Sequence, residues 1–423
     1  MRESAGTPSI SVIIPTYNRR ELVRKMLNQL ARQDVPTAEF EVIVADDGSS
    51  DGTRTMVDSF AGRLRLTYHY QEDLGMRVSL ARNCGARLAK APLLLFVDAG
   101  AMMGPDFVRR HLAAHADPAA RQAVAGYAWG YNPEFPPGPV LAEALSLISP
   151  QRVLDRFGEN PALTDIRHVE LAKYGFDLQR VPLPWRHFYT INCSLRAEDF
   201  WAAGGFDEAF AKWGIEDQEF ALRLHRTGVP LRYLPEAWII EWPHERDMLA
   251  QWSTFVENLA YLLRKFPEPA IELGIMVSEH YEYMRWGERY LELEAWTREA
   301  RGLADVSAQI GRAILRAELG DRIAVFGCGG TLPDGLPPAV LADFDRSLLD
   351  QAARSGGHTA HHQVGMRTTL PDQCVDTVII TSRLAGLWQQ WGAEVLKEAR
   401  RIGSRVEVFT HADADAKPEP AAA

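Results

Sequence analysis

The sequence is poor in the features that mark disulfide-rich, nucleic-acid-binding or membrane-spanning proteins. Its 423 residues include four cysteines, Cys84, Cys193, Cys328 and Cys374, which are scattered without metal-type spacing. Such cysteines are typical of reduced thiols. The net charge of −10 leaves no basic footprint for nucleic acid. No apolar run reaches spanning length, and no secretory segment precedes the first predicted strand. We therefore expect a cytoplasmic protein without a transmembrane segment or a nucleic-acid partner.

The composition indicates a folded protein with more than one domain. Hydrophobic residues make up 46% and aromatic residues 9% of the chain, which is typical of a globular protein with a real core. A length of 423 residues corresponds to two or three domains.

Three apolar segments in the N-terminal half predict strands that alternate with helices. They are SISVIIPTYN, EVIVADDGSSDGT and PLLLFVDAGA. The strands predicted in the last two segments end at Asp47 and Asp98. Alternating strands and helices predict a mainly parallel sheet, which binds ligands at the carboxyl ends of its strands. Asp-Gly is also a common turn dipeptide, but three aligned strand ends favour a shared crevice.

The segment GGFDEAFAKWGIEDQEFALR, residues 204–223, places Glu216 and Asp217 at the start of a predicted helix. The helix dipole stabilises a carboxylate there as the anion, which makes it a candidate general base. The alternative interpretation is a helix cap with solvated acids.

These motifs, in this order over residues 9–244, resemble the family-two nucleotide-sugar glycosyltransferases with the GT-A fold. The resemblance implies an α/β domain with a mixed, mainly parallel sheet flanked by helices. It implies direct displacement with inversion, with Asp217 as the catalytic base and Glu216 beside it as an acceptor clamp. The donor-binding residues it implies are Pro15, Thr16, Tyr17, Asp47, Arg82 and Asp98.

The sequence departs from this family at the Asp-x-Asp motif, where Gly100 replaces the second acid. Glycine has no side-chain oxygen for a divalent cation. The resemblance implies that His244 completes a Mn²⁺ or Mg²⁺ site with Asp98, with Glu241 as a further oxygen donor. The alternative is a site without metal, in which arginines neutralise the leaving diphosphate.

Aromatic residues are frequent between the two halves of this predicted domain. Trp185 and Trp213 are candidate walls of an acceptor pocket, because sugars stack on aromatic faces. Core packing explains such residues equally well. The His111 and His115 pair has helical ligand spacing but no partner glutamate, and we interpret it as a solvated helix face.

The chain changes character after the predicted catalytic domain, which we place at 1–265. Residues 266–319 predict a helical linker or arm, and 320–412 resemble a small Rossmann-like class I methyltransferase. FGCGG, residues 326–330, is similar to its glycine loop, and Asp343 or Asp345 to its second-strand acid. Val325 and Thr331 depart from the pattern, so we predict a degenerate module that does not use S-adenosylmethionine. Composition predicts a disordered tail at 413–423.

The sequence thus predicts an inverting glycosyltransferase that transfers a sugar from a nucleotide donor, most often a UDP-sugar in this family, to an acceptor hydroxyl. The acceptor is a small molecule or a glycan. Two alternatives stay open: an enzyme that also methylates, and a sugar-nucleotide-binding protein without turnover. The helical arm or the C-terminal domain is the candidate surface for a homodimer.

Overall fold

Two separate β-sheets organise the protein, one in each of two units. The computed structural model describes residues 6–132, 138–244, 248–354 and 356–410. The chain divides after Asn258, so the first unit covers 1–258 and the second 259–423. The predicted tail at 413–423 lies outside the described residues.

The first unit contains an eight-stranded mixed sheet in the order β3-β2-β1-β4-β7-β6-β8-β5. Neighbours pair in parallel from β3 through β4 and between β6 and β8, whereas β4-β7, β7-β6 and β8-β5 are antiparallel. The predicted mixed, mainly parallel sheet is therefore confirmed. The strands are β1 Ile10–Thr16, β2 Phe40–Asp46, β3 Leu66–Tyr70, β4 Leu93–Val97, β5 Ala101–Met103, β6 Ala123–Trp129, β7 Asn192–Arg196 and β8 Leu231–Glu241.

Helices cover this sheet because its central strands carry apolar side chains on both faces. Every residue of β1, β2 and β4 is buried, as expected for parallel strands between helical layers. The helices are α1 Arg20–Leu30, α2 Thr53–Asp58, α3 Val78–Leu88, α4 Phe107–Ala114, α5 Pro139–Leu147, α6 Pro150–Phe157, α7 His168–Lys173, α8 Ala197–Ala202, α9 Glu216–Arg226 and α10 Met248–Lys265, which continues past the unit boundary. None of the described helices is long and apolar enough to cross a membrane.

His111 on α4 and His115 directly after it are buried against β7, so the prediction of a solvated helix face was wrong. His111 Nδ1 and His115 Nε2 lie 2.8 and 2.9 Å from Ser194 Oγ, and His111 Nε2 lies 2.9 Å from Asn192 Oδ1. Desolvation lowers the pKa of His111 to about 3, so the ring is neutral at pH 7. Hydrogen bonds to strand side chains offset the burial of these polar rings, and helix periodicity alone does not reveal them.

The second unit contains a five-stranded parallel sheet in the order β11-β10-β9-β12-β13, which confirms the predicted small Rossmann-like domain. Residues predicted as a helical linker form helices that pack within this unit. The strands are β9 Ile323–Phe326, β10 Val340–Ala342, β11 Thr359–His361, β12 Val375–Ile380 and β13 Gly403–Val408. The helices are α11 Pro269–Glu279, α12 Trp286–Glu299, α13 Ser307–Ile314, α14 Arg346–Ala352 and α15 Trp388–Ile402.

Candidate active site

The carboxyl ends of β1 and β2 bring the predicted nucleotide-contacting residues together. Thr16 pairs in register with Asp46, and the backbone N–H of Asp47 donates to Thr16 O at 2.8 Å. The buried Asp47 carboxylate accepts hydrogen bonds from Gln71 Nε2 at 2.5 Å and from the backbone N–H of Arg77 at 2.7 Å. Asp47 thereby holds the loop after β3 beside the end of β1.

Tyr17 and the loop after β3 form the outer edge of this region. The half-exposed Tyr17 donates its hydroxyl to Asp73 Oδ2 at 2.9 Å. Gly48 has φ +99°, and a Cβ there would lie 2.6 Å from the backbone of Asp73. Glycine is therefore required for the close approach of the two loops.

Arg82 is the cation at the centre of the site. Its side chain on α3 is only 3% exposed, and Nη2 donates to Asp98 Oδ1 at 2.9 Å while Nη1 donates to Glu216 Oε1 at 3.2 Å. The structure therefore joins three residues that are far apart in the sequence, and the Arg82 side chain is buried among acids. A guanidinium between acids keeps their charge compensated without solvent.

Asp217 lies in the first turn of α9, beside Glu216. Burial, followed by the charge of Glu216, raises the pKa of Asp217 to about 7, and Arg82 opposes this effect. The backbone N–H of Gln218 donates to Asp217 Oδ1 at 2.8 Å. A carboxylate with a pKa near neutrality is well suited to take a proton at physiological pH.

The turn after α8 is held by two side chains that sequence reasoning missed. Asn83 accepts from the backbone N–H of Phe206 and donates to Phe206 O, both at 2.9 Å. Arg223 pairs with the buried Glu219 at 2.6 Å and donates to Gly205 O at 2.7 Å. The i,i+4 spacing of Glu219 and Arg223 was an available signal for their ion pair. Asn83 gave no comparable signal.

The predicted metal ligands lie on neighbouring backbone segments. Glu241 pairs in register with Ala101, and the backbone N–H of Trp242 donates to Gly100 O at 2.9 Å. His244 Nδ1 lies 3.2 Å from Trp242 O and 3.9 Å from Glu241 Oε1. This pairing brings the Asp98–Gly100 turn and the segment after β8 side by side.

These residues do not form a complete cation site in the part of the chain that the structure describes. No group of three or more His, Cys, Asp or Glu side chains is arranged there to hold a metal ion. Asp98 already accepts from Arg82, and Gly100 has φ +112°. A side chain at position 100 would be strained in that conformation.

The two predicted acceptor-binding tryptophans differ in their exposure. Trp185 lies in the short helix Pro184–His187, which packs against α9, and is 3% exposed. Trp213 is half-buried in the loop before the acids, and its ring centroid lies 6.2 Å from that of Phe255. Trp213 is therefore the more accessible of the two.

Asp343, the acid of the predicted cofactor site in the second unit, is fully buried and saturated with hydrogen bonds. Its Oδ1 accepts from Arg383 Nη2 at 3.0 Å and from the backbone N–H of Asp345 at 2.9 Å. Its Oδ2 accepts from Arg383 Nε at 3.0 Å and from the backbone N–H of Gly329 at 2.8 Å. Four donors fill the lone pairs of a carboxylate, so no capacity is left for ribose hydroxyls.

The chain itself also covers the glycine loop of this unit. The backbone N–H of Gly330 donates to Ala304 O at 2.9 Å, and a Cβ at Gly329 would lie 2.4 Å from the same oxygen. Arg383 Nη1 donates to Ala300 O and Leu303 O. In a doubly wound sheet the ligand crevice lies at these strand ends, where the strand order reverses. Here a segment of the same unit lies in that crevice.

Comparison with known proteins shows which family the chain resembles. Residues 11–196 match the model of glycosyl transferase family 2, and residues 171–244 match the N-terminal domain of galactosyltransferase. Validoxylamine A glucosyltransferases of Streptomyces hygroscopicus subsp. limoneus and subsp. jinggangensis are both 42% identical to the chain. The alignments cover 95% of this chain and 90% and 97% of those proteins, respectively.

The chain belongs to glycosyltransferase family 2 and is a glycosyltransferase with a nucleotide-sugar donor. Among solved structures, Staphylococcus aureus TarS in complex with UDP-GlcNAc aligns with 66% of this chain and 72% of its own at 20% identity, with a TM-score of 0.45. The family assignment follows from the sequence relatives.

Proposed function

We propose that the protein transfers glucose from UDP-glucose, with inversion, to a hydroxyl of a small-molecule acceptor such as validoxylamine A. The observation that carries the catalytic part is the half-buried Asp217 with its pKa raised to about 7, beside Glu216 and Arg82. The relatives named for glucosyl transfer to validoxylamine A support the sugar and the acceptor. UDP follows from the family resemblance.

In the proposed mechanism Asp217 removes the proton from the acceptor hydroxyl. The oxygen attacks the anomeric carbon, the bond from that carbon to the diphosphate oxygen breaks, and UDP leaves. A single displacement inverts the anomeric centre, so no covalent enzyme intermediate is needed. Glu216 orients the acceptor, and Arg82 keeps the carboxylates of Glu216 and Asp98 in place between the two substrates.

Donor binding is proposed for the loops at the ends of β1, β2 and β4. Pro15, Thr16, Tyr17 and Asp47 would hold the base and ribose, and Asp98 the ribose and diphosphate. Since the described residues lack a complete cation site, the role of Asp98 and His244 as Mn²⁺ or Mg²⁺ ligands stays a proposal. A divalent cation there would screen the charge of the leaving diphosphate.

The proposed function is tested by incubating the protein with validoxylamine A and UDP-, GDP- or TDP-glucose, each with Mn²⁺ and with chelator. We expect mass spectrometry to detect a glucosylated product from UDP-glucose, and NMR to assign it the anomeric configuration opposite to that of the donor. Retention of configuration would contradict the mechanism. Donor binding without product from any acceptor would support the sugar-nucleotide-binding alternative.

The pH dependence of kcat/KM tests the role assigned to Asp217. The base is active only when ionised, so we expect kcat/KM to fall as the pH drops through about 7. Because the charge of Glu216 helps to raise this pKa, Glu216→Gln should move the acid limb to lower pH. An acid limb near the ordinary Asp pKa of about 4 in the wild type would contradict the assignment.

We propose that the second unit does not methylate, because Asp343 is saturated and the glycine loop is covered by residues of the same unit. We expect calorimetric titration of the full-length protein with S-adenosylmethionine to show no heat of binding. UDP serves as the positive control for an active preparation. Saturable binding of S-adenosylmethionine that survives excess UDP would revive the bifunctional alternative.

A further inference from the structure

The backbone directly before the catalytic acids adopts an unusual conformation. Gly214 has φ +95° and Ile215 has φ +75°. A β-branched residue in the left-handed region is strained, and such strain persists only where the surroundings hold it. Ile215 is also the residue from which α9 begins, because its carbonyl accepts from the backbone N–H of Glu219 at 2.8 Å. The orientation of the Asp217 side chain therefore depends on the contacts that fix the Gly214–Ile215 turn.

The middle of α10, at Thr254, Phe255 and Asn258, supplies the contacts that hold it. Asn258 is buried, and its Nδ2 donates to Gly214 O at 2.7 Å and lies 3.2 Å from both Lys212 O and Trp213 O. Three consecutive carbonyls thus converge on one side-chain amide. A donor at this point is needed because a buried carbonyl without a partner costs about 1–3 kcal/mol.

Two neighbouring side chains of α10 complete the contact. Thr254 Oγ1 lies 3.2 Å from Trp213 O and 2.9 Å from Gln251 O, so its one proton is shared between the two carbonyls. Phe255 is buried beneath Gly214, where a Cβ would approach its ring to 3.0 Å. The turn is therefore held chiefly by the hydrogen bond from Asn258 and by packing against Phe255, and Thr254 adds a shared hydroxyl contact.

We infer that Asn258 is a positioning residue for the reaction: it fixes the strained Gly214–Ile215 turn and thereby aims Asp217 at the acceptor hydroxyl. The inference rests on the proposed role of Asp217 as base. Asn258 bonds backbone carbonyls of the loop and acts on catalysis through them. Its loss is expected to reduce turnover more than donor binding, because donor residues lie at other strand ends.

The central test is Asn258→Asp, which keeps the shape but replaces the donor with a carboxylate that repels the three carbonyls. A misplaced base costs up to about 100-fold in rate, so we expect kcat for glucose transfer from UDP-glucose to validoxylamine A to fall by about 10- to 100-fold. The KM for UDP-glucose should stay near the wild-type value. Asn28→Ala, which removes a side-chain amide from α1, is the matched control and should retain wild-type kcat.

Hydrogen exchange gives a readout that does not depend on activity. We expect the amides of residues 212–219 to exchange faster in Asn258→Asp than in the wild type, with other segments of the first unit unchanged. Asp217→Asn should lose turnover while keeping wild-type exchange in this segment. Retained turnover in Asp217→Asn would overturn the proposed base, whereas unchanged kcat and exchange in Asn258→Asp would overturn the positioning role.

Two milder substitutions at Thr254 test the same turn if the Asn258→Asp variant fails to fold. Thr254→Ser keeps the hydroxyl that faces Trp213 O, and Thr254→Val removes it at nearly constant shape. We expect Thr254→Val to have a lower kcat and faster exchange at 212–219 than Thr254→Ser, with similar melting temperatures. Equal kcat and exchange for the two variants would overturn the inference.

Discussion

Asp217→Asn is expected to lower kcat for glucose transfer by about 10²- to 10⁴-fold, the contribution of a positioned general base. Asparagine keeps the shape of the side chain but cannot accept the acceptor proton. Donor binding should persist, because the proposed donor residues lie on other loops. Steady-state kinetics with UDP-glucose and validoxylamine A, together with calorimetric titration of UDP, measure both effects.

The same substitution should leave the fold intact or stabilise it. Burial and the neighbouring Glu216 raise the pKa of Asp217, so ionisation of Asp217 costs the folded state stability as the pH rises from the unfolded value towards 7. Asparagine removes that cost, and the melting temperature at pH 8 should stay or rise. Asp117→Asn, at an exposed loop acid, is the control. Loss of activity with loss of folding would contradict a purely catalytic role.

The sequence was sufficient for features that depend on local pattern and chain order. Apolar segments predicted β1, β2 and β4. An acid at the end of each of the last two predicted that Asp47 and Asp98 follow the carboxyl ends of neighbouring strands. The structure joins Arg82 to Asp98 and Glu216, contacts that the strand pattern alone does not predict.

Features that depend on tertiary packing were not predictable in this way. His111 and His115 have the spacing of an exposed helix face, but their partners Ser194 and Asn192 lie about 80 residues later on β7. No sequence motif marks Asn258. Its partners are backbone carbonyls, which lie next to it only when α10 packs on the Gly214–Ile215 turn. Such contacts are specified by shape and not by periodicity.

The buried ion pair between Arg383 and Asp343 in the second unit is expected to have a large effect on stability. Arg383 and Asp343 are both fully buried, and each forms hydrogen bonds with the backbone as well. Removing one partner of a buried pair leaves an uncompensated charge and costs about 3–5 kcal/mol. We therefore expect Arg383→Met to lower the free energy of unfolding of the second unit by that amount in urea titrations of the full-length protein.

Arg322 provides the matched control, because its pair with Asp376 in the same unit is exposed on both sides. Exposed pairs contribute about 0–1 kcal/mol, so Arg322→Met should be nearly neutral. Adding Asp343→Asn to Arg383→Met should recover part of the lost stability, since no charge then stays buried alone. Equal effects of Arg383→Met and Arg322→Met would contradict the structural role of the pair.

This prediction also separates a self-sufficient module from a cofactor domain. A domain that depends on a cofactor gains stability when the ligand binds its folded state. Here Arg383 and the segment 300–304 already satisfy Asp343 and the glycine loop. Excess S-adenosylmethionine should therefore leave the unfolding midpoint of the wild-type second unit unchanged. An increase in the midpoint would mean that the segment leaves the crevice when the ligand arrives.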